Sequence, residues 1–148
     1  MDTKDFLVPE NVVCDLRAGD KVRLLQDLSK RAATALGLEG ARVCEALLKR
    51  EELGSTGTGG GVAIPHARMA DVAKPFGVLA RLRRGIDFAA IDGNPVDVVF
   101  LLLLPATAAG DQLNALASVA RKLRNPQTIA GLRAAGDAGE MYRTIVAG

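Results

Sequence analysis

Apolar residues Val22, Leu25, Leu28, Ala32 and Leu36 recur three or four positions apart, the spacing of one helical face. Asp20 stands ahead of them as an N-cap and Gly37 behind them as a stop. A second helix with Val43, Leu47 and Leu48 on its apolar side runs into Arg50 and Glu51. The period then shortens. Val12–Leu16, Val62–Ile64 and Phe76–Leu82 read as short strands. Val96–Leu104 is nearly all apolar and lies between Pro95 and Pro105, the pattern of a central strand covered on both faces. Gly85 and the pair Asp92-Gly93 mark breaks between strands.

Helical spacing returns toward the C-terminus. Leu113, Leu116, Ala117, Ala120 and Leu123 form one stripe in a helix that begins near Asp111. Asn125-Pro126 is an N-cap followed by proline at the first helical position. That helix turns Ile129 and Leu132 inward and ends at Gly136, while Asp137 and Glu140 form a capping box for a last helix with Met141, Ile145 and Val146. The pattern predicts one α/β domain over residues 1–148, a sheet sandwiched by helices.

Composition narrows the function classes. Lys and Arg total 19 and Asp and Glu 17, for a net charge of +2, and aromatic residues make up only 3%. That balance argues against a nucleic-acid partner. The longest apolar run, Val98–Leu104, is far shorter than the roughly 20 residues that span a bilayer, and the first ten residues hold no apolar signal core. Membrane insertion is not expected, and a cytoplasmic location is. Cys14 and Cys44 form no paired motif and read as small apolar residues in a reduced compartment.

The candidate chemistry gathers in Arg50–Arg68, REELGSTGTGGGVAIPHAR, which holds the only histidine, His66, and a cluster of glycines. Neither nucleotide-binding pattern is present. No Gly-Lys-Ser/Thr follows the glycines, and positions 62 and 64, where a dinucleotide fingerprint needs glycine, hold valine and isoleucine. One histidine without nearby cysteines is too few ligands for a stable metal site. A Ser-His-Asp triad stays open by residue count, although no nucleophile elbow is present.

The ordered run Arg50-Glu51-x-Leu53-Gly54-Ser55-Thr56-Gly57-x-Gly59-x-Gly61-x-Ala63-Ile64-Pro65-His66 closely resembles the active-site segment of the enzyme IIA proteins of the bacterial phosphotransferase system. The likeness is to the fructose/mannitol class, nitrogen-regulatory branch. It implies a mixed sheet of about five strands with helices on both faces, and no cofactor. It implies that His66 is the phosphoryl acceptor, attacking through Nε2 while a backbone carbonyl holds Nδ1–H. Suitable donors to the transferring group are the Gly59, Gly60 and Gly61 N–H groups, the Ser55 and Thr56 hydroxyls and the Arg50 guanidinium. Arg50 has an alternative reading as a helix-end charge or an ion pair, and Ser55 and Thr56 as turn caps. Implied partners are an HPr-type phosphocarrier of the nitrogen branch and regulatory targets such as potassium transport or sensor-kinase systems. Two departures stand out. Gln112 occupies the position of the family's second histidine, and Gly60 a position where asparagine is usual. A sugar-specific IIA serving a permease component, and a regulatory binding module that has lost phosphotransfer, are the alternatives.

Overall fold

Strand β6 (Val96–Pro105) is the axis of the molecule. In the computed structural model, which describes residues 1–107 and 109–147 and the side chains of all of these except Asp111, every residue of β6 but Asp97 is buried. The remaining strands are β1 (Val12–Leu16), β2 (Gly57–Gly59), β3 (Val62–Ala63), β4 (His66–Met69) and β5 (Phe76–Ile86). They form one mixed sheet in the order β1-β5-β6-β3-β2, with β4 also paired to β6. β5 is antiparallel to β6, whereas β3 and β4 are parallel to it.

Six strands are thus assigned where five are expected, and the register explains the difference. Val62 and Ala63 pair with Val98 and Val99, and His66 to Met69 continue the same offset against Leu102 to Pro105. β3 and β4 are one line of strand interrupted at Ile64-Pro65, where proline has no N–H to give a ladder. β5 also runs farther than Leu82. Its pairing with β6 is irregular between Arg81 and Ile86, so a bulged segment carries it past the adjacent, exposed Arg83 and Arg84.

Helices α1 (Lys21–Leu36) and α2 (Gly40–Glu52) cover one face of the sheet; α3 (Asp111–Arg124), α4 (Pro126–Ala134) and α5 (Ala138–Val146) cover the other. The caps are those the sequence predicts. Asp20 accepts the Arg23 N–H, Gly37 takes a left-handed conformation, and the Asn125 side chain accepts N–H groups of the first turn of α4. Leu24, Leu25, Leu28, Val43 and Leu47 pack with Val99, Leu101 and Leu103. Opposite them, Ala115, Val119, Leu132, Met141 and Ile145 pack with Val98, Phe100, Leu102 and Leu104. The lead-in is not idle chain, because Phe6 and Leu7 are buried and Phe6 meets the Phe100 ring edge-on at 6.1 Å between centroids.

α3 is rotated from the expected stripe. Ala115, Ser118, Val119 and Leu123 are buried, whereas Leu113 and Ala117 face outward. In a helix of alternating leucine and alanine two stripes differ little in apolar content, and packing against the sheet selects between them. α4 ends at Ala134 rather than Gly136, and Glu140 accepts the Gly136 N–H.

Candidate functional site

The interruption in the β3–β4 line creates the setting of His66. Ile64 donates its N–H to the Thr56 carbonyl at 3.0 Å, and the Pro65 carbonyl accepts from Leu102 at 2.9 Å. The Ile64 carbonyl turns to the imidazole, and His66 Nδ1 lies 2.7 Å from it. A carbonyl oxygen only accepts, so Nδ1 carries the hydrogen and Nε2 of the neutral ring holds the lone pair. His66 is half-buried. Its neighbours Ala67 and Met69 point into the core beneath α1 and α2. By strand alternation His66 and Arg68 therefore face the side of α3.

Two of the expected partners lie on helices that cover opposite faces of the sheet. Gln112 lies in the first turn of α3, one turn ahead of Ala115, which packs in the same cluster as Ile64 and Leu102. Leu102 is the register partner of His66. Gln112 is half-buried, and the Asp111 side chain beside it lies outside the described residues. Arg50 arrives on α2. Arg42 near the start of that helix is paired to Asp71 just past the end of β4, and Ala46 and Lys49 farther along line a common cavity with Arg68 and Met69, so α2 runs antiparallel to β4. The eight residues from Arg42 to Arg50 rise about 12 Å. The five residues from Asp71 back to His66 span about 16 Å. The end of α2 is therefore level with the imidazole end of β4. The Arg50 guanidinium donates one hydrogen bond, to the Gly54 carbonyl at 2.9 Å, and a guanidinium has five N–H donors.

The other expected ligands are committed elsewhere. Ser55 Oγ donates to the Phe88 carbonyl at 2.9 Å and accepts the Gly57 N–H at 3.0 Å. Thr56 is buried, and both its N–H and its hydroxyl donate to the Glu51 carboxylate. These two hydroxyls tie turns together, the second of the readings left open by the sequence. Glu51, only 5% exposed at its side chain, is also bound by Lys21 at 2.9 Å, and Lys21 Nζ lies 4.4 Å from the centre of the Phe88 ring.

The glycines sit at the wrong end of the strand for a phosphate cradle. Gly59, Gly60 and Gly61 form the turn between β2 and β3, and all three have positive φ. Five residues of extended chain, about 16 Å, separate Gly61 from His66. The Gly60 N–H donates to the Asp92 carboxylate at 3.0 Å, and the Gly60 carbonyl accepts from Arg133 at 2.8 Å. Arg133 also grips both oxygens of Asp97. The N–H groups of Asn94 and then Gly60 hold the Asp92 carboxyl below the usual carboxylate range. Sequence spacing could not reveal this clamp, since Arg133 and Gly60 are 73 positions apart.

Residues 5–147 match the family model described as phosphoenolpyruvate-dependent sugar phosphotransferase system, EIIA 2. A nitrogen regulatory protein of Bradyrhizobium diazoefficiens is 45% identical over 145 residues, covering 98% of this chain and 95% of the relative. Among solved structures, the nitrogen regulatory protein IIA-Ntr of Neisseria meningitidis superposes with a TM-score of 0.90 at 36% identity, covering 95% of this chain and 97% of that one. The IIA mannitol structure of Escherichia coli shares the fold, with a TM-score of 0.77 at 21% identity over 94% of this chain and 98% of that one.

Proposed function

The chain belongs to the EIIA 2 family of the phosphoenolpyruvate-dependent sugar phosphotransferase system, and from that membership we propose that it accepts a phosphoryl group on His66 from an HPr-type carrier and signals by protein contact. The observation that carries this reading is the bond between Nδ1 and the Ile64 carbonyl, which leaves the Nε2 lone pair to attack phosphorus. The nitrogen–phosphorus bond on the carrier's histidine breaks as the one on Nε2 forms, and the carrier nitrogen recovers its lone pair. Charge on the transferring group is spread over three oxygens, so the protein's work is positioning and electrostatic stabilisation. Arg50 supplies the positive fork and Gln112 a neutral amide donor at the N-terminus of α3, an end that favours anions.

A protein donor also suits the shape of the site. A cavity of about 820 Å³ lies between α1 and α2, lined by Gln26, Lys30, Cys44 and Leu48 among others. A half-buried imidazole within reach of the surface can be met by a docking protein. The added phosphate supplies the charge that regulatory targets, among them potassium transport or sensor-kinase systems, would read.

The test is intact-mass measurement after mixing with a phosphorylated HPr-type carrier. The wild type gains one acid-labile phosphate and His66→Ala gains none. Phosphate on the variant would move the acceptor elsewhere. A wild type that stays unmodified would favour the regulatory module without phosphotransfer, the reading that Gln112 keeps in view.

A further inference from the structure

At the end of the sheet away from His66, strands β1 and β5 both leave regular pairing. Their register slips between Val13 and Leu16, and Asp15 is held at φ +55. β5 bulges between Arg81 and Ile86. The two irregularities open a cleft of about 570 Å³ lined by Arg17, Ala18, Gly19, Arg83 and Arg84, within the range of about 300–1,000 Å³ typical of ligand sites. The Arg23 guanidinium lies beside the wall, because a side chain at Gly19 would meet its Nη1 at 3.1 Å. Among the described residues, none of Arg17, Arg23, Arg83 and Arg84 forms an ion pair.

The nearby acids offset only part of this cluster. Arg81 pairs with Asp15 at 3.1 Å, and its side chain is mostly buried while it also caps carbonyls at the end of α4. Asp20 carries one charge and is engaged as the N-cap of α1 by the Arg23 N–H. The first turn of α1 holds no other acid. A chain of net charge +2 thus concentrates unpaired guanidinium groups around one concavity. Ordinary surface charge is interspersed in sign. Planar forks match phosphate oxygens two at a time.

We propose that the cleft of Arg17, Gly19, Arg83 and Arg84 binds a small molecule bearing a diphosphate group. The walls carry three guanidinium groups and no large apolar side chain, so recognition falls on the phosphates rather than on a base or sugar. Gly77, in line with Leu102 and His66, and Arg83 are six positions apart on β5, about 20 Å in an extended strand. The ligand therefore does not share the phosphoryl acceptor, and the site stands whether or not His66 is phosphorylated.

Amide resonances of the isotope-labelled full chain, titrated at constant ionic strength, test this. Inorganic pyrophosphate and ADP should both give saturable shifts at Gly19, Arg83 and Arg84, and adenosine none. The Arg83→Ala/Arg84→Ala double variant, altered only at exposed positions, should bind at least about tenfold more weakly. Arg31→Ala, whose guanidinium pairs with Asp27, should bind as the wild type does. Unsaturable shifts spread over surface arginines, or unchanged affinity in the double variant, would overturn the site. A poly-glutamate peptide binding more tightly than pyrophosphate would replace the small ligand with an acidic protein segment.

Discussion

The two ends of the β3–β4 line use hydrogen bonds in opposite ways. At the glycine end, Gly60 gives its N–H to Asp92 and its carbonyl to Arg133, which is itself held by Asp97. At the histidine end, the imidazole is held through Nδ1, and in the neutral ring that leaves the lone pair on Nε2. One end has spent its donors on holding shape; the other holds an imidazole whose Nε2 is the proposed acceptor. The most conspicuous run of the sequence, its glycines, is thus tied into the scaffold, whereas the proposed chemistry rests on residues of α2, β4 and α3.

Substitutions can separate the two ends. The largest expected effect is on stability. Gly61 has φ +80, and a side chain there would meet the Arg133 guanidinium. Gly61→Ala should cost about 2 kcal/mol or more through backbone strain and loss of the clamp. That corresponds to about 4–8 °C in Tm for a domain of this size. Transfer to His66 in the folded variant should stay near the wild-type rate. A collapse of transfer with normal melting would return the glycines to the chemical site.

Arg50→Ala is the complement. Charge-assisted bonds to phosphate contribute about 1.5–3 kcal/mol, so phosphoryl transfer should slow by roughly 10- to 100-fold. Among the described residues it donates to an exposed loop carbonyl, and melting should change little. Rapid-quench transfer assays and calorimetry on the same preparation decide it. An unchanged rate would make Arg50 a helix-end charge.

The smallest effect is at position 112. A neutral amide is about half as strong a donor to phosphate as a charged group. Gln112→His should lengthen the life of the phosphorylated protein about two- to fivefold, most clearly toward pH 6 where the new imidazole gains its proton. Hydrolysis followed from pH 6 to 8 tests this, and equal lifetimes throughout would mean that residue 112 does not reach the phosphate.

How far the sequence discloses the molecule follows from the range of each interaction. The caps at Asp20, Gly37 and Asn125-Pro126 act within a turn or two and were readable as they stand. So was β6, whose nearly all-apolar run has the pattern of a central strand. The His66 environment was half legible. The Pro65 interruption is local, but the partner of the ring depends on Ile64 being fixed by Thr56 and Pro65 by Leu102. The Arg133 clamp, the Lys21–Glu51 pair and the rotation of α3 depend on elements far apart in sequence. Loop residues rich in hydrogen-bonding capacity, such as Ser55 and Thr56, read as ligands until tertiary structure supplies their partners.

The Ile64 carbonyl that holds Nδ1–H would serve equally well with phosphate on Nε2. Neither form of the ring asks the backbone to move at that bond. Phosphorylation would then write its message almost entirely as charge. The unmodified chain has a net charge of +2, and a phosphoryl group contributes roughly −1.5 to −2. The modified molecule would stand near electrical neutrality with its outline unchanged. A partner telling the two apart would sense a local reversal of potential, steep with ionic strength and felt within a screening length of about 8–10 Å.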